Sequence, residues 1–408
     1  MMMQHSNDFP RRVLFSICGY LLLVLLGAVK VQAATYYVSL SGSDSNSGTS
    51  SSPFKTFAKA LKPLKPGDTL YIRAGTWTQQ LDLMANKTSG TSSAYIKIAG
   101  YPGEKVTIRY ADPTEASYGP IKARGETHRY LIFENLVLDG SNTTNKTNWQ
   151  IRGGNHHFIL RNLEIKNFKA TGLFIVANDV QVINCTIHDQ ITVGTSRHYG
   201  IYLGSGSNVM IQGTRIYNNP GGGIHVYNGP ISNLTIRNNA LYNNNGMSSS
   251  SVGGILVWGK SSSIISSTKI YNNLSYKNGT SSGSGPASGI LVGPYTSGTK
   301  VWNNTVYGNK GYGVQIGFDT TTKSTVVQNN ISYGNGKGNY INKGSSTTYT
   351  NNVTTDPKFV SVSSNNFQLQ SSSPAANKGV NLSSVPNDYR NVARPKGASH
   401  DIGGYENY

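Results

Sequence analysis

The sequence predicts an all-β chain coiled into a parallel β-helix solenoid, with a short N-terminal capping helix and an irregular C-terminal cap. Three observations carry this expectation. A short Asn-led segment recurs through the middle of the chain, a Gly-led segment follows most copies, and apolar residues occupy the same columns in each copy. Such units are too small to bury a core alone, and stacking them buries a continuous one.

The elements follow in chain order. Residues 1–33 hold Arg11, Arg12, an apolar run and Val31-Gln32-Ala33 before Ala34, the pattern of a signal peptide with a small-residue cleavage site. The mature chain is therefore expected to be exported. No later segment approaches the roughly 20 apolar residues of a membrane span. Beyond the leader the only cysteine is Cys185, so no internal disulfide is available and stability must come from a core. In "SPFKTFAKALKPLKPGD", Phe54, Phe57, Ala58 and Leu61 fall at helical spacing, which predicts a short helix over the open N-terminal coil. The solenoid with this N-terminal cap is expected over 34–355 and the C-terminal cap over 356–408, where the repeat stops.

Within the solenoid, "NLEIKNF" at 162, "NCTIHDQ" at 184, "GTRIYNN" at 213, "NNALYNN" at 238, "NNLSYKN" at 272, "NNTVYGN" at 303 and "NNISYGN" at 329 align at steps of 22 to 34 residues. Between them run "GLFIVAN", "GIYLGSG", "GIHVYNG", "GILVWGK", "GILVGPY" and "GVQIGFD". Two short strands per repeat are expected. Leu173, Ile201, Ile224, Ile255, Ile290 and Val314 form one inward column, and Ile175, Leu203, Val226, Val257, Val292 and Ile316 the next, by strand alternation. Leu160, Val182, Ile211, Ile236, Ile270, Val301 and Val327 form a third. Asn219, Asn244, Asn278, Asn309 and Asn335 share one position, where stacked amides can bond from coil to coil. Tyr217, Tyr242, Tyr276, Tyr307 and Tyr333 share another, and recur too often for a binding site. They are expected to be a structural stack.

"TYYVSLSGSDSNSGTSSSPFKTFAKALKPLKPGDTLYIRAGTW", the G-I-x-V repeats and the closing "SSSPAANKG", "DYRNVARP" and "DIGGYE" resemble the pectate-lyase-like superfamily over nearly the whole mature chain. The resemblance implies a secreted, right-handed parallel β-helix related to polysaccharide lyases. It carries fold more than reaction, because the superfamily also holds hydrolases, epimerases, esterases and phage tailspikes. The Asp-rich calcium signature of several pectate lyase groups and the D-P-H-D signature of alginate epimerases are absent. The cofactor therefore stays unassigned, with calcium open.

The formal charge of +18 falls to +16 when the leader takes away Arg11, Arg12 and Lys30 against Asp8. A charge this large on an exported chain points to a polyanionic partner. Basic residues spread along the solenoid, with no nucleic-acid motif, favour acidic polysaccharide over nucleic acid. A monomer is expected.

"SRHYGIYLGSG" at 195–205 marks the candidate site. With Ile201 and Leu203 pointing in, Tyr202 points out, in a column with Phe174, His225, Leu256, Leu291 and Gln315. The next outward column holds Tyr227 and Trp258. Strands stack about 4.8 Å apart, so Tyr202, His225, Tyr227 and Trp258 are expected to lie exposed in one patch, suited to sugar faces and hydroxyls. Loops 188–199, 245–253 and 279–288 enter at the same junction and are expected to flank that groove.

The charge pattern narrows the chemistry. Residues 190–318 contain no Asp or Glu but eight basic residues, Arg197, Arg237 and Lys260 among them. Glycoside hydrolysis usually needs a carboxylate pair, and a calcium site needs several oxygen ligands. β-Elimination on a uronic-acid polymer instead needs a cation for the substrate carboxylate, a base and an acid. The candidate catalytic set is Arg197 as the cation, His198 or His225 as the base and Tyr202 or Tyr227 as the acid, with His188 and Asp189 orienting His198. Phe174, Tyr227, Trp258, Lys260 and Arg237 are the candidate binding residues. A polysaccharide lyase is the leading expectation. A non-catalytic glycan-binding or cell-surface solenoid is the alternative, and a glycoside hydrolase follows.

Overall fold

The chain turns where Asn, Ser, Asp and Gly stand and runs straight where β-branched residues stand. In the computed structural model, which describes residues 32–84, 87–110, 119–123, 127–142, 148–192, 198–244, 253–279 and 286–407, each central coil makes three corners. One corner is held by Asp179, Asn208, Asn233 and Ser267, the next by Asn184, Asn238, Asn272 and Asn303, and the third by Asp189, Asn218, Asn243 and Lys277, all at positive φ. Asn and Asp enter this left-handed region at low cost because a short polar side chain can bond locally. Gly213 takes the same corner with φ of 63°.

Between corners lie three parallel sheets of 12, 10 and 11 strands. A coil runs from the 12-stranded sheet (Asn178–Ile183) to the 10-stranded sheet (Thr186–His188), then to the 11-stranded sheet (Tyr199–Ser207), and re-enters the first at Met210–Gln212. The architecture is a right-handed parallel β-helix, as crossovers between parallel strands favour. The sequence showed two strands per repeat. There are three: the left-handed residue that opens each Asn-led segment separates the strand before it, which carries the third inward column in the 12-stranded sheet, from the strand after it, in the 10-stranded sheet.

All three inward columns are buried, and their registers match coil on coil, with Ile201 on Ile224, Ile224 on Ile255 and Ile255 on Ile290. Two amide ladders run beside them. Asn219, Asn244, Asn278, Asn309 and Asn335 form the expected one, each Nδ2 donating to the next Oδ1 at 2.9–3.0 Å. Asn239, Asn273, Asn304, Asn330 and Asn352 form a second, at 2.9–3.0 Å.

The N-terminal helix covers Phe57–Leu61, and the Thr56 hydroxyl accepts from the Lys59 amide as its N-cap. Phe57, Ala60 and Leu61 are buried, and Phe57 stacks on Trp77 at 4.7 Å. The expected apolar face is corrected at two positions. Ala58 is exposed, and Phe54 precedes the helix in a bridge to Val38. The chain after the last parallel strand, Thr348–Thr350, first pairs Phe359–Ser361 with Asn366–Leu369. It then runs back along the corner between the 12- and 10-stranded sheets. There Asn329, Asn303, Asn272 and Asn238 donate in turn to the carbonyls of Val380, Asp401, Asn387 and Asp388. The expected leader lies outside the described residues, apart from its last two positions. No described helix is long and apolar enough to cross a membrane.

Candidate functional site

The candidate face is the outer side of the 11-stranded sheet. Phe174, Tyr202, His225, Leu256, Leu291 and Gln315 sit at one register across six strands, and Tyr227 pairs with Trp258 one step on. Their rings touch in sequence along the solenoid. Phe174 meets Tyr202 at 5.4 Å, Tyr202 meets His225 edge-on at 5.4 Å, and His225 stacks on Tyr227 at 5.3 Å. Tyr227 meets Trp258 at 6.3 Å, and Trp258 meets Phe318 at 5.0 Å. The Lys260 ammonium lies 5.2 Å over the Tyr227 ring. The geometry is a run of aromatic faces beside one ammonium.

The expectation that this whole patch is exposed needs correcting. His225 is 1% exposed, and Leu256 and Leu291, in the same outward column, are fully buried. Tyr202, Tyr227 and Trp258 are half-buried. The reason is Tyr199, which alternation alone would point inward. A Cβ on Gly200 would collide with Ile216, so Gly200 is the residue that faces the interior. Tyr199 is thereby turned outward, where its ring lies 4.4 Å from His225 and packs with Leu256 and Leu291. Tyr199 and Phe318 are the residues the sequence reading missed. The glycine heading each strand was the signal for Tyr199.

Other candidates fall elsewhere. His198 is buried and its Nε2 donates to the Lys169 carbonyl at 3.1 Å, so it is not the solvent-facing base that was expected. His188 and Asp189 belong to the 10-stranded side. There His188 contacts Asp189 Oδ2 at 2.7 Å and Glu164 Oε1 at 3.3 Å and stacks on Tyr217 at 4.8 Å. Burial would raise the Glu164 carboxyl, but Lys166, 2.5 Å away, and His188 hold it below its usual range. His188 thus heads the tyrosine stack, which continues through Tyr242 and Tyr276 to Phe367, and Phe367 bridges to Tyr307 and Tyr333. Arg237 lies in the 12-stranded sheet, held by Gln212 at 2.6 Å, away from the aromatic face. Arg197 lies outside the described residues, as do 193–196, 245–252 and 280–285. The strands before and after each of the three loops belong to the 10-stranded and the 11-stranded sheet.

No group of three or more His, Cys, Asp or Glu able to hold a metal exists among the described residues. The aromatic face itself carries no carboxylate from 190 to 318. These side chains do not fit a carboxylate-built calcium site.

Comparison with known proteins agrees with the architecture. A family profile described as Pel9A-like, right handed beta helix region, matches residues 36–254, and one described as right handed beta helix region matches 243–373. A stretch of 78 residues is 40% identical to pectate lyase PEL9 of Emericella nidulans, covering 19% of each protein. A stretch of 139 residues is 31% identical to the uncharacterized protein YwoF of Bacillus subtilis, covering 33% of this chain and 29% of that one. The chain thus spans less than a third of the length of these curated relatives. Among solved structures, pectate lyase Pel9A superposes with a TM-score of 0.68 at 19% identity, covering 92% of this chain and 96% of that one. A glycoside hydrolase superposes with a TM-score of 0.60 at 10% identity, covering 83% and 99%. At these identities the structural likeness shows the fold alone, while the first profile matches more than half of the chain: it belongs to the Pel9A-like right-handed β-helix family.

Proposed function

We propose that this chain is an exported polysaccharide lyase that binds an acidic, uronic-acid polymer along the outer face of the 11-stranded sheet and cleaves it by β-elimination. The observation that carries the reading is the composition of the face. A continuous aromatic run from Phe174 to Phe318 carries Lys260 over Tyr227, with no carboxylate between residues 190 and 318. Aromatic faces hold sugar rings, and a face without acids does not repel a polyanion. A hydrolytic carboxylate pair has no place there.

In the reaction, the base takes the proton alpha to the substrate carboxylate. The C–H electrons form the C4–C5 double bond, and the C4–O bond breaks, its oxygen leaving with a proton. A cation beside the carboxylate stabilises the charge that builds before the C4–O bond breaks. Lys260 is the cation at the described face, and Arg197, the other candidate cation, lies outside the described residues. The burial of His198 and His225 moves proton transfer to the half-buried Tyr202 and Tyr227. His225 becomes a positioning residue, tilted against Tyr199 and stacked on Tyr227. The burial of both histidines expected to act as base favours a second reading: a glycan-binding solenoid using the same face without turnover.

The purified protein is incubated with polygalacturonate, rhamnogalacturonan, alginate and glycosaminoglycan. Ultraviolet-absorbing unsaturated ends support the lyase. New reducing ends without that absorbance indicate a hydrolase. Retention on an acidic polymer with neither product selects the binding module.

A further inference from the structure

A second groove lies at the corner where the 11-stranded sheet passes into the 12-stranded one. It encloses 740 Å³ and is lined by His156, His157, Asp179, Ser205, Ser232 and Ile264 among others. A hollow of 280 Å³ continues it past His156 to Arg129, Tyr130 and Thr91. From the coil of Tyr130 to the coil of Ser266 there are five inter-coil steps of about 4.8 Å, or about 24 Å along the solenoid axis. That is the shape of a track for an extended polymer.

The corner residues set this stretch apart. In most coils the left-handed position is held by a short residue suited to it, such as Asn208, Asn233, Ser267 or Gly298. In two adjacent coils it is held by aromatic rings instead, Tyr130 with φ of 56° and His157 with φ of 58°. Histidine enters this region more readily than most residues, but a tyrosine there is strained, and strain that persists where a short residue serves neighbouring coils points to function. The rings form an ordered cluster. Tyr130 lies 4.5 Å from His157 and 5.7 Å from His156, and Tyr95 meets Tyr130 edge-on at 5.4 Å. The two imidazoles meet edge-on with Nδ1 atoms 2.6 Å apart, so one donates and the other accepts. His157 Nδ1 lies 3.6 Å from Asp179 Oδ2.

We propose that this corner is a second saccharide site, separate from the aromatic face, that holds an uncharged, hydroxyl-rich oligosaccharide. Tyr130 supplies a ring face, the serine hydroxyls of Ser205 and Ser232 both donate and accept, and Asp179 accepts from sugar hydroxyls. Burial, with His157 and Arg129 nearby, lowers the His156 imidazole, which keeps it neutral. Asp179 in the middle of the track is offset by Arg129 at its end, so these two give the track no excess of positive charge for a polyanion, and the ligand class differs from that of the aromatic face. The inference does not depend on the lyase reading, because its readout is binding and not turnover.

The test titrates the full chain calorimetrically with β-1,4-linked hexasaccharides of glucose, xylose, mannose and galactose, and with hexagalacturonate. At least one neutral hexasaccharide is expected to bind. His157→Asn and Tyr130→Asn are each expected to weaken it at least tenfold, and Trp258→Ala to leave it unchanged. His157→Asn should keep or raise the melting temperature, because Asn serves that corner in other coils. The proposal is overturned if no neutral hexasaccharide binds, or if binding survives His157→Asn. It is also overturned if Trp258→Ala abolishes neutral binding, which would make the two sites one, or if His157→Asn lowers the melting temperature, which would make the imidazole a structural brace.

Discussion

Single side chains decide both the chemistry of the aromatic face and the closure of the C-terminal segment. Lys260 and Trp258 flank Tyr227, at 5.2 Å and 6.3 Å from its ring. In the proposed reaction Trp258→Ala removes a contact made equally in ground and transition state, so KM should rise several-fold with kcat nearly unchanged. Tyr227→Phe removes a group that acts only while a proton moves. Its kcat should fall on the order of 100-fold with binding kept, measured as the initial rate of unsaturated product. Equal loss of binding in both variants would make Tyr227 a platform only. At the other end of the chain, Arg394 and Glu406 form a 2.6 Å ion pair with side chains 0% and 1% exposed. Arg394 also donates to the carbonyls of Asp401 and Gly403. Glu406→Gln removes the carboxylate bonded to that buried guanidinium, with the charges of Asp388 and Asp401 left nearby, and should cost up to about 3–5 kcal/mol, read from chemical denaturation.

At the scale of elements, the ladders hold the corners that strand pairing leaves open. Asn278 accepts at Oδ1 from the backbone and the side chain of Asn244, and donates from Nδ2 to the Leu241 carbonyl and to Asn309. Asn278→Ala strands several buried polar groups together, at about 1–3 kcal/mol for each. Its melting temperature should drop well below that of a surface control such as Ser371→Ala, at an exposed position. A drop no larger than the control's would mean that water replaces the ladder.

For the whole molecule, the C-terminal segment running back along the solenoid makes stability depend on pH. Burial, and then the charge of Arg394, pushes the His400 imidazole down from its usual value near 6.5 to about 4. The unfolded chain therefore binds a proton that the folded chain refuses between those two values. Stability is full above pH 6.5 and falls as the pH drops toward 4, at up to about 1.4 kcal/mol per pH unit for this group. His400→Gln should flatten the slope of denaturation midpoint against pH in that window, and an unchanged slope would remove His400 from the account. The charge of +18 on the full sequence gives a second whole-molecule expectation. Retention on an acidic polymer should weaken steeply with added salt, because screening shortens the reach of exposed charges.

The sequence by itself determined the solenoid, its inward columns, the amide ladder through Asn219 and Asn335, and the structural nature of the tyrosine column. Each is a periodic feature, and periodicity is repeated in every coil, so one register explains all of them. It also placed Phe174, Tyr202, Tyr227, Trp258 and Lys260 together, because neighbouring coils stack at fixed spacing. Only the tertiary structure decided what is local and aperiodic. Gly200 turns inward and sends Tyr199 out over His225, so an imidazole that alternation marked as exposed is covered. His188 faces a different sheet from His198, because a left-handed corner at Asp189 separates two residues close in sequence. Tyr130 and His157 look ordinary in the sequence, since nothing in a residue's name tells that its backbone lies at positive φ. That is a property of the corner, set by the coils packed above and below it.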